Sequence, residues 1–191
     1  MQHAVYLSFL VTDPRPPFPF AASHRATEEA LVGSGMAWTI LRPSPYLDAL
    51  SMVAAEVRAD GLFRAPAGDE RVSFLSRDDL AGAAATVLVE PGHSGAVLSL
   101  TGDDALSYRD VARLLAQATG RPVEYVDEEP SSYRARIGTS MPPSMADAFV
   151  AIWRTIREGW LAPVHPHMAS LGRAPMSAAA WLTESKTLFV A

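Results

Sequence analysis

The sequence predicts an α/β fold built on a parallel sheet. Short β-like apolar runs alternate with helix-like runs along the chain, which is the signature of strand–helix–strand units. Three of those runs, at residues 5–10, 38–41 and 97–100, are apolar enough for strands buried on both faces. The 191 residues are 49% hydrophobic and 19% charged, enough apolar material for one packed core.

The elements follow in order. Val5-Tyr6-Leu7-Ser8-Phe9-Leu10 is a buried strand. The loop Asp13-Pro14-Arg15-Pro16-Pro17-Phe18-Pro19 cannot be helix, because each proline removes a donor and clashes with the preceding turn. Residues 21–32 are rich in Ala, Glu and Leu and read as a helix, stopped at Gly33-Ser34-Gly35 where glycine supplies a left-handed cap. Trp38-Thr39-Ile40-Leu41 is the second buried strand, ended by Arg42-Pro43. Residues 45–58 fit a helix with Leu47, Leu50, Val53 and Val57 on one face. Short strands are expected at Leu62-Phe63-Arg64 and Val72-Ser73-Phe74-Leu75, flanking a turn at Gly68-Asp69. Ser76 and Asp78 are candidate caps for a helix over residues 79–89. Val97-Leu98-Ser99-Leu100 is the third buried strand, closed by Thr101-Gly102. Ser107 caps a helix to Ala118 with Val111, Leu114 and Leu115 inward, and Val123-Glu124-Tyr125-Val126 is a short alternating strand. Two more helices are expected over residues 144–158 and 177–188.

Composition narrows the function. With no cysteine there is no disulfide, thiolate metal site, iron–sulfur cluster or cysteine nucleophile. A net charge of −5 gives no footprint for nucleic acid. No run approaches the roughly 20 apolar residues of a membrane span, and no basic-then-apolar leader opens the sequence, so a cytoplasmic protein is expected. Lys186 is the one lysine among 16 basic residues, which we read as codon bias.

A group of residues then carries a resemblance. Val5-Tyr6-Leu7-Ser8-Phe9, His24-Arg25-Ala26-Thr27-Glu28-Glu29, Ser34-Gly35 and Trp38 to Pro43, followed by Ser76 to Ala81, Leu100-Thr101-Gly102 and Gly120 to Val123, together resemble the NmrA-like group of atypical short-chain dehydrogenases. The resemblance covers nearly the whole chain. It implies a Rossmann-like α/β domain and an NAD(P)H-dependent reductase acting on a quinone, a dye or a secondary metabolite. It also implies that the chain begins at the fifth strand of that fold and retains its nicotinamide and substrate side. Residues 1–60 and 70–102 are then the sheet core, and 61–69 and 103–191 a mostly helical substrate-side cap, of one truncated domain. The glycine-rich turn that holds a dinucleotide pyrophosphate is absent, for no G-x-x-G-x-x-G occurs anywhere in the sequence. Cofactor binding by this chain is thus an open question, with NAD(P)H and no cofactor as the two answers. Where the wider group has Tyr-x-x-x-Lys, the sequence reads Phe20-Ala21-Ala22-Ser23-His24: no phenol acid stands at Phe20, and His24 takes the place of the lysine.

The candidate residues follow. Ser8 sits at a strand end, where α/β sheets present ligands; it is an active-site hydroxyl or a serine bonding its own turn. His24 has an imidazole suited to acid–base work near neutrality, against a half-exposed surface histidine. By resemblance Pro43 and Ser44 contact the nicotinamide if a cofactor binds. Tyr46 and Phe20 line a substrate pocket, or pack in the core. Met141, Met145, Trp153, Trp160 and Met168 form an apolar substrate pocket, with Met141 and Trp153 its binding residues, or simply the core of the cap. His165-Pro166-His167 reads as a proline loop, not a metal site. Asp78-Asp79 and Asp103-Asp104 precede helices and read as caps and as complements to the helix dipole, and Asp127-Glu128-Glu129 as a solvated loop. No nucleophile-elbow serine supports a hydrolase. Three functions stay open: an NmrA-like reductase, a cofactor-independent isomerase or cyclase using the same pocket through His24 and Ser8, and a non-catalytic ligand-sensing or partner-binding module. The expected partners are a small-molecule substrate and, across the bare edge of the first strand, a second copy of the chain or a separate chain covering that edge.

Overall fold

The computed structural model describes residues 3–13, 15 and 18–190. In chain order they form β1 (His3–Leu7), α1 (Ala21–Val32), β2 (Ala37–Pro43), a 3₁₀ helix (Leu47–Val53), α2 (Ala54–Asp60), β3 (Leu62–Ala65), β4 (Arg71–Val72), α3 (Arg77–Val89), β5 (Ala96–Leu100), β6 (Leu106–Ser107), α4 (Tyr108–Thr119), β7 (Glu124–Asp127), α5 (Pro130–Ile137), α6 (Pro143–Arg157), α7 (His167–Ser170), α8 (Ala178–Glu184) and a 3₁₀ turn (Lys186–Leu188). The α/β reading holds. The three apolar runs form one parallel sheet in the order β1-β2-β5, with Leu7 beside Leu41 and Leu41 beside Leu98.

The alternation of each strand decides which face meets which helix. Leu41, Leu98 and Leu100 point to α3 and pack with Leu80, Ala83 and Val87. Tyr6, Ser8, Ile40 and Arg42 belong to the opposite face, where α1 lies. That second face is only partly apolar, and of α1's twelve residues Ala21 and Glu28 are the buried ones. Beyond Leu7 the chain stays beside β2, since Ser8 N donates to Leu41 O (2.8 Å) and Leu10 N to Pro43 O (2.9 Å). Ser8 is therefore held at the carboxyl end of the sheet.

The second layer is built on β3 and β7, which pair in parallel, while β4 and β6 form a separate antiparallel pair. Val57, Phe63, Val111, Leu115, Leu161 and Leu182 make its core, and Val11, Phe18 and Ala21 from the sheet side join the same cluster. This cluster thus reaches from the second layer to the segment between β1 and α1, while the sheet and α3 keep a cluster of their own. Two segments pack across the boundary drawn from sequence. Residues 47–60 pack with this second layer through Leu47, Leu50 and Val57. In the other direction α7 returns to the sheet, where Met168 packs under Leu41 and Leu100.

Several local expectations change. The helix expected over residues 45–58 is a 3₁₀ helix followed by α2. Its start is tethered to the neighbouring segment, with Leu47 N bonded to Leu75 O and Leu75 N to Pro45 O (both 3.0 Å), which favours the tighter turn. Gly33 has φ −78°, so the left-handed turn after α1 falls on Gly35, at φ +74°. Ser76 caps α3 by accepting from Asp79 N (3.0 Å); Asp78 caps nothing, but both it and Asp79 stand in the first turn, where their charge complements the helix dipole. Asp79 instead accepts from Met176 N (2.8 Å) and fastens the C-terminal segment to α3. Asp103 and Asp104 are not caps either, because Ser107 and Asp110 form a capping box at α4. The acidic loop is not merely solvated: Asp127 accepts from Gly68 N and Arg157, and Glu128 from Arg136. Residues 130–137, given no element from sequence, form α5 with Pro130 at its first position. Pro14, Pro16 and Pro17 of the proline loop lie outside the described residues.

Candidate active site

A cavity of about 550 Å³ opens where β1 and β2 end, between the sheet and the second layer. Ligands of open α/β sheets bind at this end of the strands. Ser8, Phe20, His24, Tyr46 and Trp153 all line it, so five of the residues singled out from sequence meet in one place. Met141 does not: it stays in the turn between α5 and α6, away from the lining. Met168 lies under the sheet, and Met145 is exposed. The Met-rich pocket wall expected from sequence is therefore an aromatic wall instead.

One end of the cavity is polar. His24 sits at the start of α1, and its Nδ1 lies 2.9 Å from Tyr6 Oη on β1. Burial lowers the His24 pKa, with the Glu28 carboxylate pulling the other way. Glu28, one turn further on, is buried and receives both arms of the Arg42 guanidinium, at 2.9 and 2.5 Å. Burial alone would raise its pKa, but Arg42, then Ser8 and His24, outweigh that and hold the carboxyl below its usual range. Ser8 is 5% exposed. Its hydroxyl lies near enough to favour the Glu28 carboxylate, yet its Oγ makes no hydrogen bond of acceptable geometry. A buried hydroxyl left this way is costly unless something else reaches it.

The rest of the cavity is aromatic. Phe18 stacks on Phe9 (4.2 Å between centroids) and lies parallel to the His24 ring (6.5 Å). Phe20 meets Phe18 edge-on, at 5.7 Å. Opposite, Tyr108 is ringed by Phe63, Phe74 and Trp153 in edge-to-face contacts of 5.1–5.8 Å. Burial pushes the Tyr108 phenol far above its usual range, so it stays neutral. Trp153 Nε1 favours the Tyr133 phenolate but makes no well-formed hydrogen bond to it. At the far end Arg136 is held by Glu56 (2.6 Å) and by Glu128 (2.7 Å). Arg64 is held by Asp60 (2.7 Å). The guanidinium charges there are already matched.

Pro43 and Ser44 lie behind the cavity wall. Both are buried; Pro43 O accepts from Leu10 N, Ser44 N donates to Leu100 O (2.9 Å each), and the Ser44 hydroxyl donates to Ser73 O. His165 and His167 stack with 6.1 Å between rings, and His167 Nδ1 lies 3.1 Å from Ser99 O. Among the described residues no cluster of three or more His, Asp or Glu could hold a metal. No helix among them is long and apolar enough to cross a membrane.

No protein-family model matches the chain. It is 38% identical over 132 residues to the NAD(P)H azoreductase of Xenophilus azovorans, covering 69% of this chain and 46% of that protein. Its structure superposes on an NADPH-dependent quinone oxidoreductase from Escherichia coli with a TM-score of 0.89 at 28% identity, over 97% of this chain and 68% of that one. It is 26% identical over 163 residues to an NmrA-like family domain-containing oxidoreductase of Aspergillus flavus, covering 81% of this chain and 52% of that protein. The chain belongs to the NmrA-like family. It spans about half the length of the curated relatives it matches.

In this NmrA-like chain several residues of the site escaped the sequence reading. Tyr6, which does not line the cavity itself, reads as one more strand residue, and only the approach of α1 to β1 puts His24 beside it. Phe18, Phe63 and Tyr108 come from three distant segments and meet through the joint core. The one available signal was spacing, since Tyr6 and Ser8 are two apart and share a strand face.

Proposed function

We propose that this chain forms the substrate side of an NAD(P)H-dependent reductase for a small, flat organic acceptor of quinone or dye type. The observation that carries the reading is the aromatic cavity at the strand ends, with Ser8 and His24 at its polar end. Rings on opposite walls suit a planar guest, because offset and edge-to-face contacts with it replace contacts with water. The two relatives' names, an azoreductase and a quinone oxidoreductase, point to acceptors of the same shape.

The cofactor divides into two halves for this chain. The unpartnered Ser8 hydroxyl and the open strand ends fit a nicotinamide. A pyrophosphate needs a glycine turn leading into a helix N-terminus. The β1–α1 junction instead holds a proline-rich loop, with Phe20 capping α1 and no side-chain cap bond. The described residues therefore do not fit the pyrophosphate. A reduced nicotinamide, where bound, supplies a hydride; this chain's own residues bind the acceptor, exclude water from it and offer the polar group at His24.

Two titrations test this. Menadione should quench Trp153 fluorescence saturably, and Trp153→Phe should remove that quench; no saturable binding would overturn the acceptor site. NADPH followed by calorimetry should not saturate at low micromolar concentration, because several charge-assisted bonds of about 1.5–3 kcal/mol each are missing. Tight NADPH binding would refute that half of the reading. A second reading, a cofactor-independent isomerase or cyclase, rests on the same cavity with Ser8 and His24 as its polar groups, and turnover without NADPH would reveal it.

A further inference from the structure

Resting on that acceptor site, the contact between Tyr6 and His24 says which way the histidine faces chemically. A neutral imidazole has one N–H and one lone pair, and the partner of one nitrogen decides what the other can do. His24 Nδ1 has Tyr6 Oη at 2.9 Å. No hydrogen bond engages Nε2 among the described residues, while the ring lines the cavity. Nothing else on α1 competes, for the Glu28 carboxylate is taken by Arg42.

Two arrangements can be compared. If Nδ1 carried the proton, it would donate to the phenol oxygen, and the phenol proton would have no acceptor among the described residues. If the phenol donates to the Nδ1 lone pair, the proton sits on Nε2 and both groups at the contact are satisfied. The phenol is the better donor and the imine-type nitrogen the better acceptor, so the second arrangement wins. The ring is also held in place, parallel to Phe18 and tilted by 50° to Tyr6.

We propose that Tyr6 is a positioning residue that fixes His24 as its Nε2–H tautomer, so that the cavity presents a hydrogen-bond donor and selects guests carrying a carbonyl oxygen or an azo nitrogen at that end. Tyr6 acts through His24 and need not touch the guest. Ser8 Oγ, unpartnered at the same end, is the second group such an acceptor atom can reach.

The test is nitrogen NMR of histidine-labelled protein at neutral pH, paired with binding of two probes. In the native chain His24 Nε2 should carry the proton, and Nδ1 should show the shift of a lone pair accepting a hydrogen bond. Tyr6→Phe keeps the ring and should abolish that Nδ1 shift alone. The same variant should weaken menadione about three- to tenfold, the worth of one hydrogen bond, and leave naphthalene, which has no acceptor, unchanged. A proton on Nδ1 in the native chain overturns the proposal. So does equal weakening of both probes, which would show that Tyr6 only supports the wall. If neither probe binds, the acceptor site fails, and the NMR result still decides the tautomer.

Discussion

His24 and His165 both titrate below the usual 6.5, because burial disfavours the imidazolium; beside His165 the neighbouring His167 adds to the effect, while beside His24 the Glu28 carboxylate opposes it. Between those lowered values and 6.5 the unfolded chain binds more protons than the folded one. Stability is then full above 6.5 and is lost as pH falls through that window. We expect the urea midpoint to drop between about pH 7.5 and about pH 5.5, and the double variant His24→Gln/His165→Gln to flatten the drop. Glu28 works in a lower window. Its pKa is depressed below 4.5, so its contribution is present above that value and disappears only in stronger acid. A slope unchanged in the double variant would mean the two imidazoles are solvated.

At the scale of elements, α4 shows which local signals hold and which need a partner. Its start is written in the residues themselves: Ser107 accepts from Asp110 N, and Asp110 returns to Ser107 N, both at 3.1 Å. Its inward face carries Val111 and Leu115, both fully buried. Ser107→Ala should cost about 1 kcal/mol, the usual worth of a cap. Leu115→Ala should cost about 2–5 kcal/mol, because it opens a cavity in the joint core. Chemical denaturation of the two variants checks the order, and a cap variant as damaging as the core variant would contradict it. The split helix at residues 47–60 is the opposite case. Its apolar spacing is helical, yet Leu47 and Leu75 are tied together by the fold, and a periodicity of side chains carries no information about such a tether.

For the whole molecule the open question is the edge of β1. Its other edge is paired with β2, and among the described residues no strand covers the free one. Leu7, the last residue of β1, is 46% exposed. An open apolar edge is a template for another strand, and soluble proteins cover or charge such edges. We expect light scattering on dilute purified protein to show a dimer, with β1 paired across a two-fold axis. A monomer that stays monomeric as concentration rises would sink this, and would mean the edge is covered by residues outside those described.

What the sequence determined by itself is the set of segments and the end of the sheet that matters. The strands at Val5, Trp38 and Val97 are legible as continuous apolar runs, but their burial differs from the expectation: β2 is largely buried, whereas β1 is half-buried and Val97 of β5 is exposed. Ser8 and His24 stand at a strand end and a helix start, positions that short-range patterns mark, while Phe20 and Tyr46 were singled out through the resemblance to the family. Trp153 was found only as part of a cluster whose Met141 and Met168 go elsewhere. Tertiary structure alone decided that division, since a methionine on a helix looks the same whether it faces a cavity, the solvent or the underside of a sheet. It also decided that Tyr6 meets His24 and that Glu28 meets Arg42. Both contacts cross from α1 to the sheet, and their existence depends on the distance and rotation between two packed elements, which no local spacing encodes.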